Sequence, residues 1–121
     1  MKQEYKFEKL EVWKLSLDLI DYVYEMDKAF PISEQYNLSS QMKRAATSVS
    51  LNIAEGSANS TNAEFSRYLR IATKSYIEVY ACYKIALRRN YLASESPLCD
   101  NFEVLGTKLF AKTQALIKSL N

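Results

Sequence analysis

Apolar positions recur at helical spacing along almost the whole chain, and the first such stretch, from Phe7 to Met26, carries two stripes rather than one. One stripe is Trp13, Leu17, Ile20 and Tyr24. The other is Val12, Leu15, Leu19, Tyr22, Val23 and Met26, set more than about 100° around the helix, which leaves only Lys14, Asp18, Asp21 and Glu25 on a clear polar side. A single core does not readily cover both, so one stripe is expected to meet another subunit. The spacing leaves open which stripe that is. The expected oligomer interface is Val12, Leu15, Leu19, Val23 and Met26, because burying each side chain is worth about 1.5 to 3 kcal/mol. Phe30 and Pro31 end this helix, since proline disfavours helix in the residue before it.

PISEQYNL, residues 31 to 38, reads as a loop with a turn at Ser33 to Tyr36, Asn37 in the left-handed region and Ser39 as the cap of the next helix. That helix, Gln41 to Gly56, has a core stripe of Met42, Ala46, Val49 and Ile53. Beside it Gln41, Arg44, Ser48, Asn52 and Glu55 fall within an arc of about 80°. Gly56 is expected to close the helix with positive φ, and SANST to form a short polar loop. Thr61 with Glu64 is a capping box that opens a third helix running to about Asn90, with Phe65, Leu69, Ala72, Tyr76, Val79, Tyr83 and Leu87 inward. Ser96 and Pro97 cap a fourth, whose seam is Leu98, Phe102, Leu105, Leu109, Leu116 and Leu120. The expected fold is all-α: one domain over residues 1–121, an up-down-up-down antiparallel four-helix bundle.

A mixed seam on the third helix, Ile71, Ser75, Glu78, Cys82 and Ile85, answers the polar face of the second. In a hairpin turning near Asn59, Gln41 lies level with Glu78 and Arg44 with Ser75, so Arg44 can reach Glu78 within about one turn. Gln41, Arg44, Ser48, Asn52, Glu55, Ser75 and Glu78 are therefore expected to form a polar network that fixes helix register or a subunit contact. The alternative is a solvated face.

Composition narrows the chemistry. With 121 residues, 48% of them hydrophobic, the chain suits one buried core, and two Gly and two Pro are too few for an all-β fold. Cys82 and Cys99 match no metal or disulfide spacing and read as small buried hydrophobes of a reducing compartment. The charged N-terminal run MKQEYKFEKLEVWK has no continuous apolar segment, so no signal peptide or membrane span is expected and the expected location is cytoplasmic. The chain has no His, which removes the commonest general base and metal ligand, and there is no glycine-rich phosphate loop. No catalytic residue, metal or cofactor is expected.

The net charge of +2 is unevenly spread: residues 1 to 30 hold five basic and seven acidic groups, residues 61 to 90 six basic and two acidic. On the third helix Arg67, Arg70, Lys74 and Arg88 lie roughly opposite the core stripe, with Lys84 at its edge. These five are the candidate nucleic-acid-binding residues, a solvated face being the alternative.

The opening FEKLEVWK, Phe30 with Pro31, Glu34 through Tyr36 and Leu38, and then Gln41, Arg44, Ala45, Ala46, Ser48 and the NIAEG run from Asn52 to Gly56 resemble a known family. So do Glu64, Phe65, Leu69, Ile71, Ala72, Ser75, Glu78, Tyr91 and Leu92. The chain is similar, over about Phe7 to Leu92, to the bacterial four-helix bundle proteins named after 23S rRNA intervening sequences, which the accessory protein of diversity-generating retroelements also resembles. The resemblance implies a homopentamer associated with RNA or DNA and no enzymatic activity. The loop after Gly56 departs from it: Ser57, Ala58 and Asn59 stand where family members often carry a basic residue. Two functions remain open, a nucleic-acid-associated accessory protein and a scaffold that binds a protein partner.

Overall fold

Four helices carry the fold, α1 (Glu11–Asp27), α2 (Leu38–Ser57), α3 (Asn62–Arg88) and α4 (Pro97–Ser119), in a computed structural model that describes residues 4–59 and 61–121. Ser60, in the expected SANST loop, lies outside the described residues. Two helix starts follow their caps: Glu64 N–H donates to Thr61 Oγ1 and Cys99 N–H to Ser96 Oγ, each at 3.2 Å. Asn90, at φ 61°, takes the left-handed position that stops α3.

Other boundaries differ from expectation for local reasons. Instead of one helix from Phe7, Lys6–Lys9 forms a single 3₁₀ turn, Leu10 is extended, and α1 begins at Glu11. The break lets Phe7 fold back onto Trp13, ring centroids 4.7 Å apart in an edge-on arrangement. Ile32–Glu34 is a 3₁₀ turn, but Asn37 has φ −125° rather than a left-handed value, and α2 starts at Leu38. Glu34 takes over the expected role of Ser39 there, its carboxylate accepting from Asn37 Nδ2 at 3.1 Å and from Leu38 N–H at 3.5 Å. Ser39 lies inside the first turn and is buried. Gly56 is helical, no glycine has positive φ, and α2 runs on to Ser57. Its missing side chain serves packing instead: a Cβ at Gly56 would meet Tyr68 Cβ at 2.6 Å and Phe65 Cδ1 at 3.1 Å, so the glycine lets α3 close on α2.

Each helix is antiparallel to its neighbours. Ser48 meets Ser75 and Gly56 meets Tyr68 across α2 and α3; Tyr80 meets Glu103 and Thr73 meets Gln114 across α3 and α4. Glu11 pairs with Lys112 and Tyr22 packs on Phe102 across α1 and α4, and Asp27 pairs with Lys43 across α1 and α2. The helices thus run up, down, up, down around one core, whose largest fully buried side chains include Tyr83, Phe102, Leu19, Met26, Met42, Ile53, Leu69 and Leu109.

That core corrects the expected oligomer interface. Val12, Leu15, Leu19, Val23 and Met26 are between 0% and 8% exposed and form the α1 contribution to the protomer's own core. The outward stripe is the other one, where Leu17 is 38% and Tyr24 51% exposed while Trp13 and Ile20 are half-covered. Two stripes are served because α1 lies between α2 and α4, which take one, while the folded-back Phe7 covers part of the other. Among the described residues no helix is long and apolar enough to cross a membrane.

Candidate functional site

The basic residues of α3 are placed by the helix period. Phe65, Leu69, Ala72, Tyr76, Val79 and Tyr83 are buried, and the opposite arc carries Arg67, Arg70, Lys74, Lys84 and Arg88, all exposed. Arg67 is partly spent: its guanidinium holds the Glu64 carboxylate at 3.2 Å and lies 4.7 Å from the Tyr68 ring centroid. The hydrogen bonds it donates to Glu64 are also the first cause of its raised pKa. Arg70, Lys74, Lys84 and Arg88 form no ion pair among the described residues. Glu78 and the exposed Ile77 and Ile85 share this outer arc and interrupt the row.

The polar face of α2 is realised in part. Ser48 Oγ and Ser75 Oγ lie 2.9 Å apart across the helix pair, and Asn52 Nδ2 donates to Ser48 O at 2.8 Å and Ser48 Oγ at 3.0 Å. These three half-buried residues are the network. Gln41 bonds backwards to Asn37 Oδ1 at 3.0 Å, and Arg44, Glu55 and Glu78 are exposed. The expected Arg44–Glu78 ion pair does not form. The register differs from the expected one by about a turn, the Ser48–Ser75 contact setting Arg44 level with Val79 rather than Ser75 and Gln41 level with Cys82 rather than Glu78. This brings Arg44 nearer to Glu78, so register is not what keeps the pair apart. Direction is: Arg44 lies on the outer arc of α2, away from the side that Ser48 and Asn52 present to α3. Lys43, Arg44, Thr47, Ser48, Leu51, Asn52 and Glu55 line a shallow open concavity there. Leu51, 55% exposed, stands in the middle of this polar surface. Its signal was in the sequence, as the one large apolar residue on the outward arc.

Several polar groups elsewhere have structural partners. Lys43 Nζ holds Asp27 Oδ2 at 2.8 Å and sits 5.0 Å from the Tyr24 ring centroid. Burial raises the Asp27 pKa, but hydrogen bonds from Lys43 and Ser39 outweigh it and leave it below the ordinary value. Tyr91 Oη donates to Glu34 Oε2 at 2.7 Å, the first cause of a lowered Glu34 pKa, and Tyr80 Oη donates to Glu103 Oε2 at 3.2 Å. Burial pushes Tyr76 up to about 12. Cys82 and Cys99 are free and buried, and burial followed by the nearby Glu78 raises the Cys82 thiol, so it is a packed thiol rather than a poised nucleophile. Among the described residues no three His, Cys, Asp or Glu side chains converge as a metal site requires.

Comparison with known proteins adds one finding. The family model described as 23S rRNA-intervening sequence protein matches residues 8–110, most of the chain and all but the end of α4. None of the curated proteins compared matches it.

Proposed function

Because the chain belongs to the 23S rRNA-intervening sequence protein family, we propose that it is a non-enzymatic, oligomeric accessory protein that associates with RNA or DNA through the outer edge of α3. The observation that carries this reading is that Arg70, Lys74, Lys84 and Arg88 are exposed along one helix without acidic partners among the described residues. From Arg70 to Arg88 is five turns, about 27 Å, the length of about eight nucleotides spaced by 3.4 Å along a strand. Such a row neutralises phosphates and carries little base information, so sequence preference is modest. The pentamer that the family resemblance implies would repeat the row around a ring and turn a weak patch into a multivalent one. A chain without His also lacks the commonest acid–base group, which supports a binding role over a catalytic one. The expected compartment is the cytoplasm.

A second reading, a scaffold for a protein partner, is favoured by the interruption of the row by Glu78, Ile77 and Ile85. Fluorescence anisotropy separates the two. The full chain should bind labelled single- or double-stranded RNA or DNA at about 50 mM salt with an affinity that falls steeply as salt rises, by about 0.7 to 0.9 log units per log unit of salt for each phosphate contacted. Changing Arg70, Lys74 and Arg88 together to Glu should weaken binding and flatten that slope by about two units or more while leaving helix content unchanged. No binding, or binding that the triple change leaves intact, would move the assignment to the scaffold.

A further inference from the structure

The outer face shared by α2 and α3 holds charges of both signs that the protomer leaves apart. Arg44 projects to solvent from α2, Glu55 stands three turns further on, about 16 Å along the same helix, and Glu78 lies on α3 beside the level of Arg44. None of the three forms an ion pair among the described residues. Between them lie short side chains, Thr47, Ser48 and Ser75, over which another helix can approach closely. Leu51, at 55% exposure, stands out of this bed, and Ile85, at 49%, lies two turns beyond Glu78 on α3 at the end of the same face. Apolar anchors in a setting of separated opposite charges are what a specific protein contact requires.

We infer that this face is where one copy of the chain meets the next, with Arg44 of one copy against Glu55 or Glu78 of its neighbour and Leu51 and Ile85 as the apolar anchors. The inference rests on the oligomeric reading given above and adds which surface carries it. A second copy is the occupant because the face carries both halves of the ion pair at different places, Arg44 on α2 and Glu78 on α3. One part of it can therefore meet the other part on the next copy, as a ring of more than two copies requires. A nucleic acid would instead meet two carboxylates, and a partner of one charge sign would leave Arg44 or the two glutamates unanswered. The basic edge of α3 borders this face on the side towards α4, so Arg70, Lys74 and Lys84 stay free at the rim.

Size-exclusion chromatography with light scattering on the full chain at micromolar concentration tests this. The wild type should show a mass several times the 13.9 kDa protomer, and Arg44→Glu or Leu51→Asp should each lower it towards 13.9 kDa, with far-ultraviolet circular dichroism unchanged because both positions are exposed. Combining Arg44→Glu with Glu55→Arg or with Glu78→Arg should restore the assembly in at least one of the two swaps. Should a reversal alter the dichroism, Arg44→Ala and Leu51→Ser replace it, each expected to lower the mass at a given concentration. A wild-type assembly that survives all single changes, or that no charge swap restores, overturns the inference and leaves the oligomeric reading standing. A monomeric wild type overturns that reading itself, and the inference with it.

Discussion

Replacing Gly56 with Ala isolates what the closest helix crossing contributes. In the interior of a helix alanine is favoured over glycine by about 1 kcal/mol, so without tertiary packing the change would stabilise the protein. Here the added methyl would lie 2.6 Å from Tyr68 Cβ and 3.4 Å from Phe65 O, atoms attached to or part of the α3 backbone that no rotamer change can withdraw. Relief requires α2 and α3 to separate, and overpacking of this kind costs about 1 to 3 kcal/mol. With the backbone involved, the upper part of that range applies, and the net loss after the helical gain is about 1 to 2 kcal/mol, or about 4 to 8 °C in Tm for a domain of this size. Gly106 provides the comparison within the same protein. A Cβ there would meet the hydroxyl and ring edge of Tyr76, the far end of a side chain rather than backbone, so Gly106→Ala should cost less than Gly56→Ala. Urea unfolding followed by circular dichroism measures both. A Gly56→Ala protein as stable as the wild type, or less affected than Gly106→Ala, would refute the account of Gly56 as a spacer between α2 and α3.

Two further outcomes follow from burial and charge. Leu19→Ala, at a position with 0% exposure, should cost about 2 to 5 kcal/mol in urea unfolding, whereas an interface residue would weaken assembly and leave protomer stability nearly unchanged. Asp27 has its pKa held below the ordinary value despite the opposing effect of burial, so its contribution is present above the unfolded pKa near 3.9 and is lost as pH falls through the folded value. The urea midpoint of the wild type should therefore fall more steeply than that of Asp27→Asn as pH drops below about 4, and parallel curves would refute the role of the Lys43 and Ser39 hydrogen bonds.

Helix number, order and most helix ends were legible because each is written locally: Thr61 with Glu64, Ser96 with Pro97 and the heptad-like stripes all act within a turn or two of the residues that encode them. What was not legible depended on segments far apart in the chain meeting in space. The stripe of α1 holding Leu19 and Val23 could not be told from the one holding Leu17 and Tyr24, since both have helical period and only the position of α1 between α2 and α4 decides. Gly56 carried the usual signal of a helix stop, and the structure uses it as a place of close approach, a distinction that exists only once Tyr68 is opposite.

The polar face of α2 shows the same limit at the candidate site. Its seven expected members were gathered by helical angle and by an assumed hairpin level that is off by about one turn, since Arg44 lies level with Val79 and not with Ser75. Only Ser48, Asn52 and Ser75 have side chains short enough and turned far enough towards the neighbouring helix to join within the protomer. The longer charged side chains leave the helix on its outer arc, where burying an ion pair against α3 would require them to bend back over their own helix and give up water. A face that is polar, narrow and only half satisfied within one copy is therefore not a failed core. Its unspent half, Arg44, Glu55 and Glu78 around Leu51, is the part that the proposed contact between copies would engage, and that is why charge reversal and rescue, rather than stability, is the measurement that bears on it.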